Sequence, residues 1–81
     1  MRLPRDLSGR DLVRALKSLG YTISRQTGSH LRLTTHQHGE HHITIPNHDA
    51  LRVGTLAAIL SDVANHFGIT RDEVVKRVFS N

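Results

Sequence analysis

The segment that decides the fold is YTISRQTGSHLRLTTHQHGEHHITIP, residues 21–46. Apolar and polar residues alternate in three parts of it, at Tyr21–Arg25, Leu31–Thr34 and His42–Ile45. A period of two is typical of β-strands that bury one face. The linkers 26–28 and 36–39 contain glycine and have the length of hairpin loops, so no crossover is needed. The segment therefore predicts a three-stranded antiparallel meander.

Helical periodicity flanks this segment on both sides. Ser8, followed three residues later by Asp11, forms a variant of the capping box, and apolar residues then recur at helical spacing until Gly20. A second helix is predicted over 54–67, and a short third helix begins after Thr70. The order α-β-β-β-α-α predicts an α+β fold, a two-layer sandwich with a three-stranded antiparallel sheet and the helices on one face.

Length and composition restrict the class of protein. With 81 residues and no cysteine, we expect one domain over 1–81, without disulfides or thiolate chemistry. The longest apolar run, 55–60, is too short to span a bilayer, and the first residues lack the apolar part of a secretory signal, so we expect a soluble cytoplasmic protein. The formal net charge of +4 favours a polyanionic partner, which can be RNA, DNA or an acidic protein.

The alternation assigns the strand residues to the two faces of the sheet. We expect the apolar set to face the helices: Tyr21, Ile23, Leu31, Leu33, Ile43 and Ile45. We expect the polar set to face away from them: Thr22, Ser24, His30, Arg32, Thr34, His42 and Thr44. Arg25 shares the parity of the core residues and must turn outward at the strand end. With helices on one side only, the polar face is open to water or to a ligand.

The start of the second strand carries residues suited to proton transfer. Gly28 has no Cβ, so the chain can turn tightly there and a substrate backbone can come close. Ser29 and His30 would stand beside that approach, and an imidazole exchanges protons near neutral pH. RNA carries its own nucleophile, the 2′-hydroxyl, so a protein that cleaves it needs only to move protons, stabilise charge and hold the backbone.

Two arginines and a second histidine can complete such a site. Arg32 lies two residues from His30 on the same face, and its guanidinium can hold phosphate oxygens in a bidentate manner. Arg25 is the next guanidinium along the chain. His42 can supply the second proton only if the third strand brings it across from His30. His30 and Arg32 also fit an ordinary exposed sheet face, and Gly28 also fits an ordinary turn.

A histidine-rich segment offers a competing interpretation. Residues 36–42, HQHGEHH, contain five potential nitrogen or oxygen ligands. His36 and His38 lie two residues apart, so on a strand they share one side. They can hold a zinc or nickel ion together with His41 or His42 across a turn. The run matches no recognised metal spacing and falls at an expected hairpin tip, so we predict an exposed loop, with no metal and no cofactor.

Several motifs occur in the order and spacing of one known family. After the amphipathic helix they are Gly20-Tyr21, Arg25-Gln26-Thr27-Gly28-Ser29-His30, Ile43-Thr44-Ile45-Pro46-Asn47-His48 and Gly54-Thr55-Leu56-Ala57-Ala58-Ile59-Leu60. Each motif alone is weak, but the ordered set resembles the HicA toxins of bacterial toxin–antitoxin systems. The resemblance extends over nearly the whole chain.

The resemblance implies a fold like the double-stranded-RNA-binding domain and an endoribonuclease that cleaves mRNA without a metal ion. It implies that His30 is the catalytic histidine and that a HicB-like antitoxin neutralises the protein. We expect RNA to contact Gly28, Ser29, Arg25, Arg32 and His42. Two other functions stay open: a non-catalytic RNA-binding module of the same fold, and a protein-interaction domain whose basic face meets an acidic partner.

Overall fold

The structure, a computed structural model, describes residues 3–79. Its elements are α1 (Gly9–Leu16), a 3₁₀ turn (Lys17–Leu19), β1 (Thr22–Gln26), β2 (His30–Thr35), β3 (His41–Pro46), α2 (Val53–Phe67) and α3 (Arg71–Phe79). The three strands form one antiparallel sheet in the order β1-β2-β3, with β2 in the centre. The predicted α+β fold and the order α-β-β-β-α-α are therefore confirmed.

Helix α1 begins and ends where the sequence indicates. The Ser8 hydroxyl accepts a hydrogen bond from the backbone N–H of Asp11 (3.0 Å), and the Asp11 carboxylate accepts one from the backbone N–H of Ser8 (3.1 Å). This completes the capping box, and the bond from the Ser8 N–H lowers the pKa of Asp11. After the 3₁₀ turn, Gly20 has φ of 82°, the left-handed conformation in which helices commonly end.

Helix α3 begins with half of a capping box. The Thr70 hydroxyl accepts a hydrogen bond from the backbone N–H of Glu73 at 3.1 Å. The Glu73 carboxylate instead accepts a bond from Nε of Arg77, one turn further along the helix, at 3.4 Å. Val74 and Val78 are buried, so α3 joins the same core as the other helices.

One hydrophobic core lies between the sheet and the helices. The buried apolar residues of the sheet layer are Tyr21, Leu31, Leu33, Ile43 and Ile45. The helices contribute Leu12, Leu16, Leu56, Ile59, Leu60, Val63 and Val74 to the same cluster. Of the polar positions predicted to face away from the helices, His30, Arg32, His42 and Thr44 are exposed. Thr34 is buried, and its hydroxyl lies between the Ser24 hydroxyl and the His42 ring. The helices therefore cover one face of the sheet, as the alternation predicted. Among residues 3–79, no helix is both long enough and apolar enough to cross a membrane.

Ile23 differs from the other apolar strand residues that face the helices. It pairs with Leu33 and shares its face, yet 38% of Ile23 is exposed while Leu33 is fully buried. The cause is its position, because β1 is an edge strand and all five of its residues are exposed. Ile23 therefore faces the helix side, as predicted, but it is not buried, because alternation gives the face of a residue and not how far the helices reach over it.

Helix α1 contacts the end of β3 at Gly9. The Gly9 N–H donates a hydrogen bond to the carbonyl of His48 at 2.9 Å. A Cβ atom at this position would overlap the carbonyl oxygen of Pro46. Glycine therefore permits the close approach of α1 to the segment that follows the sheet.

We expect Gly9→Ala to lower the free energy of unfolding by about 1–3 kcal/mol, because a backbone carbonyl cannot move aside as a flexible side chain can. This reverses the usual helix preference, in which alanine is favoured over glycine by about 1 kcal/mol. Gly54→Ala is the matched control in the first turn of α2, where a Cβ would meet no heavy atom within 4 Å. It should gain about 0.5–1 kcal/mol. Denaturant unfolding measures both, and equal effects would contradict the contact.

Candidate functional site

The open face of the sheet brings His30 and Arg32 into one row. His30 is the first residue of β2 and pairs with Pro46, and Arg32 pairs with Thr44. Residues two apart on a strand lie on one face, separated by about 7 Å. Both side chains are exposed. An imidazole and a guanidinium are therefore available to one extended ligand.

The backbone of His30 is held from both sides. The N–H of Thr27 donates to the carbonyl of His30 (3.0 Å), and the N–H of His30 donates to the Thr27 hydroxyl (3.1 Å), which closes the β1–β2 turn. On the other side the Asn47 N–H donates to the carbonyl of Ser29 at 2.9 Å, so the β2–β3 pairing continues past Pro46. The turn and the ladder therefore position an exposed side chain on a fixed backbone.

The imidazole of His30 has one nitrogen engaged. Its Nδ1 lies 3.1 Å from the Ser29 hydroxyl, which can donate or accept, and Nε2 has no hydrogen-bond partner among residues 3–79. Gly28 precedes this pair and does not adopt a left-handed φ, so the turn itself does not require glycine. A Cβ at Gly28 would meet no atom within 4 Å. The space beside the histidine is open, which fits the expected approach of a ligand backbone.

A β-bulge at Ser24 changes the face of Arg25. Ile23 pairs with Leu33, and the next pair is Arg25 with Arg32, so Ser24 is the extra residue of β1. The extra residue reverses the alternation, and Arg25 lies directly opposite Arg32 on the open face. Arg25 therefore lies on the outer face, as expected, but a bulge inside the strand brings it there and not a turn at the strand end.

This cross-strand arginine pair concentrates positive charge. Like charges directly opposite one another in a sheet are destabilising, by about 0.2–1 kcal/mol. Within the part of the chain that the structure describes, neither Arg25 nor Arg32 forms a salt bridge. A bound anion would offset the repulsion and could accept hydrogen bonds from both guanidinium groups. The pair is thus a candidate phosphate site, about 7 Å along the strand from His30.

A chain of hydrogen bonds across the open face holds the bulge. The Ser24 hydroxyl lies 2.8 Å from the Thr34 hydroxyl, which lies 2.7 Å from Nδ1 of His42. Nε2 of His42 lies 2.8 Å from the Glu40 carboxylate. The Ser24 hydroxyl also reaches the carbonyl of Arg32, at 3.3 Å. The chain connects all three strands, and it ties the residue that causes the bulge to the strand that carries Arg32.

His42 does not lie across from His30. It pairs with Thr34, which is four residues along β2 from His30, a separation of about 13 Å. Both of its ring nitrogens already have partners. The condition under which His42 would be the second proton carrier is therefore not met, because the register puts Pro46 opposite His30.

A cavity of about 270 Å³ lies where β3 ends. It is lined by Pro46, His48, Leu51, Arg52 and Thr55. His48 and Arg52 are exposed, so an imidazole and a guanidinium stand at the end of the sheet that carries His30. Sequence analysis named His48 only within a family motif and did not name Arg52, since nothing local relates either residue to the second strand. The sequence feature that could have indicated this cavity is Pro46, which ends the last strand.

The histidine-rich segment 36–42 is divided between different surroundings. His41 lies beside Tyr21 and stacks on His66, with ring centroids 4.4 Å apart. His42 belongs to the open face. Among residues 3–79, no three His, Cys, Asp or Glu side chains form a group that could hold a metal ion. The competing metal interpretation therefore has no site in this part of the chain.

One known family matches most of the chain. The model of the family described as HicA toxin of bacterial toxin-antitoxin matches residues 9–64, well over half of the 81 residues. No curated protein and no solved structure matches the chain significantly. The matched range begins with α1, contains the whole sheet and ends within α2, so it includes His30 and the arginine pair.

Tyr21 is connected to β3 and α2 by a chain of polar contacts. Its hydroxyl lies 2.7 Å from Nδ1 of His41, whose Nε2 lies 3.3 Å from the Asp62 carboxylate on α2. Burial raises the pKa of Tyr21 to about 12, and the charge of Asp62 adds to the effect. In the unfolded chain the same phenol titrates near 10.

We expect the free energy of unfolding to fall as the pH rises from about 10 to about 12, because the unfolded chain loses the Tyr21 proton first. Below pH 10 this contribution is fully present. Tyr21 is the only tyrosine and tryptophan is absent, so tyrosinate absorbance follows this group alone. Tyr21→Phe should reduce the dependence on pH over this interval. A tyrosinate midpoint near the unfolded value in the folded protein would contradict the burial of the hydroxyl.

Proposed function

Because the chain belongs to the HicA toxin family of bacterial toxin–antitoxin systems, we propose that it is an endoribonuclease that cleaves mRNA without a metal ion. In this proposal His30 transfers a proton, and the open face of the sheet binds the RNA backbone. The observation that supports it most is the setting of His30, an exposed imidazole on a fixed backbone, about 7 Å from an arginine pair that forms no salt bridge within residues 3–79.

RNA supplies the nucleophile. The 2′-oxygen attacks the adjacent phosphorus and the bond from phosphorus to the 5′-oxygen breaks, which leaves a 2′,3′-cyclic phosphate and a 5′-hydroxyl. One proton must leave the 2′-hydroxyl and one must reach the 5′-oxygen. When the ring proton of His30 is on Nδ1, this N–H donates a hydrogen bond to the Ser29 hydroxyl. Nε2 then has a free lone pair and can accept the proton of the 2′-hydroxyl.

The second proton carrier belongs to the same end of the sheet. His42 is excluded by its distance, whereas His48 lines the cavity beside Pro46, the residue opposite His30. His48 is therefore our candidate for protonating the 5′-oxygen, and Arg52 in the same cavity adds positive charge near the leaving group.

The RNA backbone follows the row of polar residues on β2. The cross-strand pair of Arg25 and Arg32 binds a phosphate beside the scissile one, and the open space at Gly28 admits the chain close to His30. Ser29 contacts the RNA beside His30, and His42 contacts it from β3, next to Thr34. Among the residues described, the sheet has no exposed phenylalanine, tyrosine or tryptophan, so phosphate contacts supply most of the affinity in this proposal.

Purified protein without antitoxin is expected to cleave single-stranded RNA in excess EDTA and to leave DNA of the same sequence intact, since DNA lacks the 2′-hydroxyl. His30→Ala should lower cleavage by about 10²- to 10⁴-fold. Its melting temperature and RNA affinity should stay nearly unchanged, because the exposed imidazole supports no core. Single-turnover cleavage, anisotropy binding and thermal melts measure the three quantities.

His36→Ala is the matched control, since it removes another exposed imidazole from the opposite end of β2. It should cleave like the wild type. Undiminished cleavage by His30→Ala would refute its catalytic role. Activity that is lost on chelation and restored by zinc would favour a metal enzyme. A wild-type protein that binds RNA and never cleaves it would be the RNA-binding module instead.

Arg25→Ala and Arg32→Ala are expected to weaken RNA binding to a similar extent, since the two guanidinium groups are cross-strand partners. Each should reduce the slope of log affinity against log salt by up to about 0.7, the value for one phosphate contact on a single strand. Arg71→Ala on α3 is the control and should leave the slope unchanged. An Arg25→Ala protein with wild-type affinity would contradict the role assigned to the bulge.

A further inference from the structure

The edge of the sheet at β1 is also open on the helix side. A cavity of about 460 Å³ lies between α1 and β1, lined by Arg10, Val13, Arg14, Lys17, Thr22 and Ile23. We call these six residues the α1–β1 groove. Ile23 shares the face of the buried Leu33, whereas Arg25 lies on the opposite face with Arg32. The groove is therefore separate from the proposed RNA site.

The groove combines an apolar floor with an unpaired strand edge. Val13 and Ile23 supply the apolar surface, and Ile23 is one of two large apolar residues that are exposed among those described. β1 pairs only with β2, so the N–H and C=O groups on its outer side make no ladder within the sheet. Such an edge, with a pocket for alternate side chains, is how proteins bind extended peptides by strand addition.

The rim of the groove is positive. Arg10, Arg14 and Lys17 follow one side of α1 at intervals of four and three residues and are exposed. Arg14 forms a salt bridge with Asp11, while Arg10 and Lys17 form none within residues 3–79. Two cations beside an exposed isoleucine are therefore available to a ligand.

We propose that the α1–β1 groove binds an extended acidic segment of a partner protein, which adds to the sheet beside β1. Apolar side chains at alternate positions of the segment pack over Val13 and Ile23, and its carboxylates pair with Arg10 and Lys17. The proposal rests on membership of a toxin–antitoxin family, which implies a protein partner, and not on the proposed cleavage of RNA.

Other occupants fit the groove less well. A second copy of the chain carries a formal net charge of +4 and would bring like charge to a positive rim. Single-stranded RNA would satisfy the cations, but it has no peptide backbone to extend the β1 ladder and no aliphatic side chains to pack on Val13 and Ile23. Of these occupants, only an acidic extended protein segment can pack on the apolar floor, pair with the backbone edge and neutralise the positive rim.

Occupation of the groove would act on the RNA site through β1. Arg25 belongs to the same strand as Ile23, on the far side of the Ser24 bulge. A strand added beside β1 would fix the bulge and cover the outer edge next to the arginine pair. A partner could thereby block RNA from the edge of the sheet without touching His30.

The test uses a short peptide that alternates valine and glutamate, with a valine–lysine peptide as its control. Amide chemical shifts and hydrogen exchange of the isotope-labelled protein follow each titration. The acidic peptide should shift and protect Thr22–Gln26 and shift the rim of α1, and the lysine peptide should not. Arg10→Glu with Lys17→Glu should weaken binding at least about tenfold, a change of about 1.4 kcal/mol. Arg71→Glu with Lys76→Glu changes the net charge equally on α3 and should leave binding within about threefold.

Absence of shifts in β1, or equal shifts with the lysine peptide, overturns the proposal. Shifts confined to Arg25, His30 and Arg32 also overturn it, since the acidic segment would then bind the open face. A single-stranded RNA oligonucleotide that shifts the groove residues as the acidic peptide does would assign the groove to nucleic acid. Binding is read without any cleavage, so an inactive ribonuclease leaves this test intact, and the groove variants should keep whatever cleavage the wild type has.

Discussion

The central strand β2 is paired along both of its edges, and its register determines which side chains are buried and which are exposed. Leu31 and Leu33 must face the helices to be buried, and a strand with a period of two then turns His30 and Arg32 to the open face. A shift of one residue would bury an imidazole and a guanidinium without partners, which is far more costly than leaving them exposed. The register that buries Leu31 and Leu33 therefore also exposes His30 and Arg32.

The Ser24 bulge accounts for the position of Arg25, which alternation alone does not give. It brings Arg25 opposite Arg32, and the hydrogen-bond chain through Thr34 and His42 to Glu40 holds the extra residue in place. His42 therefore has a structural role on the sheet, with a partner for each nitrogen. Water and salt screen the repulsion between the two arginines because the strand pair is exposed. When an anion binds, both guanidinium groups attract it.

The helices cover β1 less than they cover β2 and β3. β1 also borders both of the surfaces to which we assign partners. An 81-residue chain cannot cover every edge of its sheet, so the helices protect β2 and β3 and leave Ile23 partly exposed. The same strand carries Arg25 toward the open face and Ile23 toward the groove. A partner that binds one side of β1 is therefore close to a ligand on the other.

Local sequence patterns are enough to predict the helices, the strands and the row that contains His30. Capping at Ser8, the left-handed Gly20 and the alternation around Leu31 and Leu33 depend on residues that are neighbours along the chain, so they could be read before folding. The exposure of Ile23, the face of Arg25, the distance of His42 from His30 and the cavity with His48 were decided by the tertiary structure. Each depends on strand register, on an inserted residue or on the reach of the helices, and these are set by contacts between residues far apart in the chain, which leave no local pattern.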